Sequence, residues 1–421
     1  MKQLAFLILL FVGSGLLGQN SDATYRKIHK TYTLNEDGSY KLNYQHVLEY
    51  HTYLSFHRKY GETFVVYDPD YQEVNVLKSE TTMADGKVVN SPDNAFNEVL
   101  PRFASGAGAY NDLRELVITH TGLERGAVVN LEYEVESDKT PINLFAGSEP
   151  LRYSSPVKEL QLTFKVPKER ELVFSGKQGE KVYNETDEYK VYTFTYNDLP
   201  AYPKFAMASK GESQVLIYNE GKELADQLMA VLKGEALPKV FKEDLSPATE
   251  ENMDEILKIH RIIVKDMKTI HVTMKFPHFP VRDVNATELT YSGTPLEKAF
   301  FLKALFLGEK IQARIVFSIP LEQFDPKVST IENINTLYVM MPTAEGDPLL
   351  LSPYRMPAAN PLFTNYDDAL VAIDENGNLL RQNPNMMNLR IGIVEADPAF
   401  RKKLEDYLRK QKVEIVMSVA D

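Results

Sequence analysis

The sequence predicts an α+β protein: an N-terminal antiparallel β-sandwich, a second domain of mixed helices and strands, and a short C-terminal extension. Between residues 25 and 203, short segments of alternating apolar and polar residues follow one another at regular spacing, which is typical of two packed sheets. Residues 292–319 instead indicate a buried helix that runs directly into a buried strand. With 421 residues, the chain is long enough for two or three domains.

We predict that the chain is divided into five parts. They are a signal peptide (1–18), a β-sandwich (19–205), a connecting segment (206–248), the second domain (249–360) and a C-terminal hairpin with a strand–helix–strand extension (361–421). Lys2, an apolar run and small residues before Gln19 are typical of a secretory signal, so we expect an exported protein, periplasmic or extracellular. The chain has no cysteine, so we expect no lipoprotein anchor and no stable membrane anchor after signal cleavage.

Composition and charge argue against several classes of partner and cofactor. Hydrophobic residues make up 43% of the chain and charged residues 25%, as in ordinary soluble globular proteins. The formal net charge of −12 disfavours a nucleic-acid partner, because phosphate backbones are themselves negative. His271 and His278 lack the spacing of metal ligands, so we expect no metal and no cofactor.

The first half of the chain contains clear hairpin signals. Residues 32–34 and 40–50 flank a turn at residues 35–38, and Asp85-Gly86 is a strong two-residue turn signal. Alternation places five side chains of the second strand on one face: Leu42, Tyr44, His46, Leu48 and Tyr50. Further strands are predicted at residues 74–82, 87–89, 116–120, 128–135, 160–166, 171–175, 189–196 and 215–218.

The second domain begins with a helical stripe. Apolar side chains recur at helical spacing over residues 253–267, and His260 lies on the same stripe. A histidine in this position is expected to be a hydrogen-bonded core residue rather than a metal ligand. An amphipathic helix is also predicted before it, at residues 222–233.

The central helix of the second domain has a complete start signal. Thr294 is a good N-cap, Pro295 suits the first helical position, and Glu297 can close a capping box. Residues 300–307 are apolar on almost every side, and the helix is too short to cross a bilayer, so it must be enclosed by protein. We expect Gly308 to end the helix in the left-handed conformation, and the alternation that follows predicts a strand.

The remaining elements are strands and one helix. Two strands are predicted at residues 336–341 and 348–351, and a hairpin at residues 369–373 and 378–380. The tail predicts a strand, a helix capped by Asp397 and a final strand.

The turn, buried helix and strand of residues 292–319 resemble the core of the transglutaminase-like superfamily, a papain-like α+β fold. In that family a cysteine opens the helix, where the helix dipole and unpaired N–H groups favour the thiolate. The resemblance implies that Gly293 matches the family's glycine, Thr294 its acidic position and Pro295 its cysteine. Proline carries no nucleophile, and the chain contains no cysteine at any other position.

The same resemblance places the family's histidine at Thr336 and its acid at Ser352. The base is missing in any alignment, because no histidine follows His278. Residues of a triad act as a unit, so the loss of all three removes essentially all nucleophilic catalysis. We therefore predict that the protein is not an enzyme and that Pro295, Thr336 and Ser352 are degenerate triad positions.

The β-rich segment carries a second resemblance. The runs YDPDYQEVNV, LPRF and YNDLRELVITHTGLERGAVVNLEYEV are similar to an exported domain of uncharacterised function that precedes transglutaminase-like domains in many bacterial proteins. The similarity covers approximately residues 25–203, and it implies no chemistry.

These observations lead to a functional hypothesis with two alternatives. We expect an exported, non-catalytic binding or scaffolding protein whose ligand is a peptide, a glycan or an envelope protein. Aromatic side chains near the degenerate site are candidates for ligand contacts: Tyr291, Tyr338, Tyr354, Phe363 and Tyr366. One alternative is a hydrolase that uses carboxylates in the same cleft, from Glu288, Glu297 or Asp347, although the capping box is the favoured role for Glu297. The other alternative is a purely structural assembly component.

Overall fold

The structure of the protein is a computed structural model. It describes residues 21–105, 107–110, 112–138, 145–202, 215–221, 224, 226–228, 245–272, 281–320, 323–325, 327–328, 330–334, 336–343 and 349–355, and the backbone of the strands at 370–374, 379–382, 388–390 and 414–416. The predicted signal peptide, most of the predicted helix at residues 222–233 and the predicted helix capped by Asp397 lie outside these residues.

Strands dominate the N-terminal domain. Its strands are β1 (Ala23–Leu34), β2 (Tyr40–Tyr50), β3 (Glu62–Tyr67), β4 (Gln72–Thr82), β5 (Val88–Asn90), β6 (Phe96–Val99), β7 (Arg114–Thr119), β8 (Val128–Ser137), β9 (Ala146–Pro150), β10 (Val157–Pro167), β11 (Val173–Gly176), β12 (Glu180–Glu185), β13 (Tyr189–Leu199) and β14 (Val215–Asn219). Eight of them form one sheet in the order β12-β13-β10-β1-β2-β8-β4-β5. Two three-stranded sheets, β11-β14-β9 and β3-β7-β6, complete the domain.

Both small sheets pack on one face of the large sheet. Ile28 pairs with His46, which pairs with Leu131, so these side chains share a face. Ile28 belongs to the core under β11-β14-β9, whereas Leu131 belongs to the core under β3-β7-β6. The domain is therefore a sandwich with two separate small sheets on one side.

Two details of the β domain correct the sequence prediction. The large sheet is antiparallel except between β1 and β10, which run parallel, because the chain crosses to β9 in another sheet before it enters β10 from the same end as β1. The domain also extends beyond the predicted boundary at residue 205, since β14 pairs with β9 and β11.

The second domain consists of helices packed on an antiparallel sheet whose strands differ in length. Its helices are α1 (Glu250–Lys265), α2 (Val284–Thr290) and α3 (Pro295–Gly308). Its strands are β15 (Lys268–Thr269), β16 (Ser292–Gly293), β17 (Arg314–Pro320), β18 (Thr336–Met341), β19 (Leu349–Leu351), β20 (Leu370–Asp374) and β21 (Leu379–Gln382). The sheet order is β19-β18-β17-β20-β21, and β15 pairs with β16 in parallel. None of the helices in the described part of the chain is long and apolar enough to span a bilayer.

Helix α3 is the predicted central helix, and its start is as expected. Thr294 and Glu297 form a reciprocal capping box, and Pro295 occupies the first turn. The helix is buried among α1, β17 and β18, as its apolar surface requires. Its end differs from the prediction, because the left-handed residue is Lys310, with φ 60°, and not Gly308. The left-handed residue after the helix therefore lies two positions later than predicted.

The predicted C-terminal hairpin belongs to the second domain. Strand β20 pairs with β17 along Val316–Asp374 and Phe317–Ile373, which adds the hairpin to the central sheet. A further parallel pair, β22 (Asn388–Arg390) with β23 (Glu414–Val416), follows it.

Candidate functional site

The first turn of helix α3 is closed by one buried carboxylate. Glu297 accepts hydrogen bonds from the Thr294 backbone N–H at 2.8 Å and from the Tyr110 hydroxyl at 2.7 Å. The Arg282 guanidinium donates to the two carboxylate oxygens at 2.9 and 3.0 Å. The carboxylate of Glu297 is thus surrounded by donors and almost fully buried.

The charge state of Glu297 follows from these donors. Burial alone would raise the pKa of the Glu297 carboxyl, but the hydrogen bonds from Arg282, Thr294 and Tyr110 together hold the pKa below its usual range. The hydrogen bond to Glu297 raises the pKa of the Arg282 guanidinium in turn. An ionised, fully bonded carboxylate cannot serve as a general acid, which needs a raised pKa. Of the other predicted carboxylates, Glu288 is exposed and Asp347 lies outside the described residues.

Tyr110 comes from the β domain, so this site lies at a domain interface. The Arg282 guanidinium also stacks over the Tyr110 ring, 5.8 Å from its centroid. Around this contact the β-domain segment 103–110 packs on residues that follow helix α1, including Ile270 and Val272. The β domain therefore covers the helix start at which Pro295 stands.

Thr336 lies on the other side of the sheet from this helix. Its neighbours Leu337 and Val339 face the core that contains α3, and alternation turns Thr336 to the opposite face. There the Thr336 and Ser318 hydroxyls lie 3.2 Å apart. No hydrogen bond among the described residues joins Thr336, Ser352 and Pro295.

Ser352 is instead brought together with His260 of helix α1. The His260 Nε2–H donates to the Ser352 carbonyl at 2.7 Å, and burial lowers the pKa of the imidazole. The prediction of a hydrogen-bonded core histidine is confirmed. The Ser352 hydroxyl and His260 Nδ1 are both buried and have no hydrogen-bond partner within the described part of the chain.

Lys298 was not identified from the sequence as a site residue. Its side chain is buried in the first turns of α3 and donates to the Met267 carbonyl at 3.0 Å and the Thr269 hydroxyl at 2.9 Å. Burial lowers its pKa to about 8. A lysine within a helix that is expected to be buried is the signal that could have revealed it, because a buried ammonium group needs fixed acceptors.

The predicted aromatic ligand contacts that the structure describes lie on different elements of the second domain. Tyr291 is exposed and ends helix α2 in the left-handed conformation, with φ 48°. Tyr338 and Tyr354 are half-buried near the β18–β19 edge, and the Arg355 guanidinium lies 5.1 Å from the Tyr354 ring centroid. Phe363 and Tyr366 lie outside the described residues.

Metal ligands are not clustered in the part of the chain that the structure describes, where no group of three His, Asp or Glu side chains is placed to hold an ion. His271 is exposed, and His278 lies outside the described residues.

Comparison with known proteins assigns the β domain to a family. A model of a domain of unknown function with a solved structure, DUF3857, matches residues 36–203, which contain nearly all of the large sheet. Residues 36–203 are a DUF3857 domain. The comparison with curated proteins finds no match to this chain.

The fold of most of the chain is shared with a solved structure. A crystal structure from Parabacteroides distasonis, of a protein named "putative protease", is 28% identical with a TM-score of 0.73, over 87% of this chain and 73% of that one. The crystal structure of a two-domain M1 zinc metallopeptidase is 12% identical over 59% of this chain and 55% of its own, and its TM-score of 0.25 carries no structural argument.

The DUF3857 domain touches the second domain at another place as well. The Glu332 carboxylate accepts from the Ser148 backbone N–H at 2.9 Å, and Asp325 accepts from the Ser175 hydroxyl at 2.7 Å. Two sets of polar contacts therefore join the domains.

Proposed function

We propose that the protein is a non-catalytic exported binding or scaffolding protein, in which the second domain is an inactive relative of the transglutaminase-like fold. The observation that carries the proposal is the closed start of helix α3. Pro295 stands there in place of a nucleophile, and Tyr110 and Arg282 converge on the buried Glu297 beside it. The carboxylate at this helix start is therefore enclosed and bonded by groups of the protein itself.

The hydrogen-bonding capacity of this helix start supports the same proposal. Thiolate or oxyanion stabilisation at a helix start depends on free backbone N–H groups. Pro295 has no N–H, the Glu297 N–H donates to the Thr294 hydroxyl at 3.2 Å, and the Thr294 N–H donates to Glu297. At the first positions of the helix, the Pro295 N–H is therefore missing and the Glu297 N–H is already bonded.

A hydrolase is the second candidate, because the Parabacteroides distasonis relative is named a protease. In this chain the hydroxyl that would serve is that of Ser352, beside His260. Two features argue against it: His260 and the Ser352 hydroxyl oxygen are buried, and the His260 Nε2–H donates to the serine carbonyl instead of serving the hydroxyl.

The test is an activity assay on the full chain. Casein and glutamine-containing peptides are incubated with the protein, and peptide-bond hydrolysis, ammonia release and acyl transfer to an amine are measured. We expect no turnover above the buffer control. Turnover that disappears in Ser352→Ala or His260→Gln would establish the hydrolase, and turnover that survives both changes would equally refute a non-catalytic protein.

A further inference from the structure

A cleft opens at one end of the large sheet of the DUF3857 domain. Its volume is about 970 Å³, within the range of about 300–1,000 Å³ that is usual for small-ligand sites. We call it the sheet-end cleft, and its polar lining residues are Ser21, Thr24, His51, Thr52, Arg125 and Lys158. The Arg125 and Lys158 side chains are exposed, so the cleft is open to solvent.

The topology of the sheet brings these residues to the same end. Strand β2 runs antiparallel to both β1 and β8, and β1 runs parallel to β10. The starts of β1, β8 and β10 therefore lie at the same end of the sheet as the end of β2. Four segments that are distant in the sequence meet there, and they carry Thr24, Thr52, Arg125 and Lys158.

Arg125 is fixed to the end of β2 by hydrogen bonds. It lies in the turn at residues 124–127, whose first carbonyl accepts from its last N–H at 3.2 Å and in which Gly126 has φ 87°. The Gly126 N–H donates to the Tyr50 carbonyl at 2.7 Å, and the Arg125 Nε–H donates to the His51 carbonyl at 3.2 Å. The terminal nitrogens of this exposed guanidinium are not bonded by any residue that the structure describes. The guanidinium is therefore held at the wall of the cleft with its outer N–H groups available.

The charges around the cleft favour an anionic ligand. None of the residues that line the cleft carries a carboxylate, and the carboxylate next to Arg125 in the sequence, that of Glu124, accepts from the Ala84 backbone N–H at 2.8 Å. Three ion pairs with N–O distances between 2.6 and 2.8 Å involve lining residues or their neighbours: Arg26–Glu49, Lys59–Asp22 and Lys158–Asp198. Arg125 is thus the cation of the lining that no carboxylate neutralises. A cation in such a position attracts an anion locally even though the net charge of the chain is −12.

Two hydroxyl groups of the lining are oriented as acceptors. The Ser21 hydroxyl donates to the Ala23 carbonyl at 2.6 Å, and the Thr52 hydroxyl donates to the Asp22 carboxylate at 3.0 Å. Their protons are used within the protein, so each oxygen can only accept further hydrogen bonds. The Thr52 oxygen already accepts from the Ser55 N–H at 3.3 Å and has one lone pair left. A ligand that carries hydroxyl donors matches these oxygens.

We propose that the sheet-end cleft is a binding site for a sugar acid. The sugar carboxylate pairs with the terminal nitrogens of Arg125 through two parallel N–H···O bonds, and the exposed ammonium group of Lys158 adds a second positive charge. The sugar hydroxyls donate to the oxygens of Ser21 and Thr52. A peptide that ends in a free carboxylate forms the same ion pair but brings few hydroxyl donors. The proposal concerns the DUF3857 domain alone and does not depend on the second domain being inactive.

The experiment titrates the full chain with trigalacturonate at low ionic strength, and binding is measured by calorimetry. The same trisaccharide with its carboxylates methyl-esterified is the matched neutral probe, and we expect it to bind at least about tenfold more weakly. In Arg125→Gln the affinity for trigalacturonate should also fall at least about tenfold, or about 1.4 kcal/mol. Because Arg125 is exposed, the thermal stability of this variant should match that of the wild type. Lys158→Gln is a second variant, in which we expect a smaller loss of affinity, and it decides the test if Arg125→Gln does not fold.

The matched control is Arg261→Gln, which removes the same charge from an exposed position on helix α1 of the second domain and should leave the affinity unchanged. Acetyl-trialanine, which has a peptide carboxylate and no hydroxyl group, should bind more weakly than trigalacturonate. Several results would overturn the proposal: trigalacturonate does not bind at millimolar concentration, its methyl ester or acetyl-trialanine binds as tightly, or a folded Arg125→Gln variant retains the affinity of the wild type.

Discussion

Single residues in this protein serve more than one purpose. Glu297 closes the capping box of α3, as its spacing predicts, and it also neutralises Arg282 and binds Tyr110 from the other domain. Local spacing predicts the cap because the partners are three residues apart. Arg282 is 15 residues away and Tyr110 is 187 residues away, and no local pattern reports a contact at such separation.

The buried histidines make the stability of the DUF3857 domain depend on pH. Their folded pKa values, about 3 for His46 and about 4 for His120, lie below the usual value near 6.5. Above about pH 6.5 both histidines are neutral in the folded and the unfolded state, so they do not lower the free energy of unfolding. As the pH falls below this value the unfolded state takes up protons first, so the free energy of unfolding drops by up to about 1.4 kcal/mol per pH unit for each histidine.

Guanidinium denaturation at pH 7.5 and 5.0 measures this loss. In His46→Gln, which cannot titrate, we expect a smaller loss between the two pH values than in the wild type. Exposed His57 provides the control, and His57→Gln should retain the full loss. A His46→Gln variant that loses as much stability as the wild type would contradict the assignment.

At the scale of elements, the sequence predicts the helices and strands in which apolar residues recur at regular spacing. Helices α1 and α3 and strands β2 and β17 follow from spacing and caps alone, whereas only the last three residues of β1 were predicted. Strands β3, β6, β9 and β12 were not predicted; β12 is exposed along its whole length and therefore shows no alternation. Strand β9 also lacks an alternating pattern. Its Gly147 supplies no apolar side chain, although the position is closely packed.

Gly147 also gives a test of how tightly the small sheet β11-β14-β9 is built. A methyl group at this position would lie 2.6 Å from the Tyr218 hydroxyl oxygen, and Tyr218 packs among the rings of Tyr32, Phe145 and Phe164. We expect Gly147→Ala to destabilise the protein by about 1–3 kcal/mol in chemical denaturation.

Gly108→Ala is the control for this substitution, because among the described residues beyond its chain neighbours no atom lies within 4 Å of the added methyl group. Equal stability of the two variants would mean that the ring of Tyr218 moves aside freely.

For the whole molecule, the sequence predicts two domains but not how they meet. The order of the elements and the family resemblances predict a β domain followed by an α+β domain. The contacts that join them, such as Ser148 of β9 with Glu332, involve single polar groups, which carry no periodic signal. The proposed triad positions share this difficulty, since the face of a strand on which Thr336 lies depends on a register that one residue can reverse.

The interdomain contact can be measured by a double-mutant cycle. Tyr110→Phe removes the donor of this buried hydrogen bond and Glu297→Gln replaces its charged acceptor by a neutral one, so their effects on the free energy of unfolding should not add. We expect a coupling energy of about 0.5–3 kcal/mol. As a control, Tyr202→Phe alters an exposed tyrosine and should combine with Glu297→Gln additively. Additivity in the first cycle would show that the domains do not depend on this bond.

The parallel pairing of β1 with β10 has a consequence for folding during synthesis. As the chain is synthesised, β2 can pair with β1 at once, but the opposite edge of β1 waits for β10, which begins at residue 157. Until then that edge presents unpaired N–H and C=O groups to any neighbouring nascent chain. Bringing β10 to β1 closes a long loop of chain, which slows folding. We therefore expect the nascent chain to be prone to association through this strand edge until β10 has been synthesised.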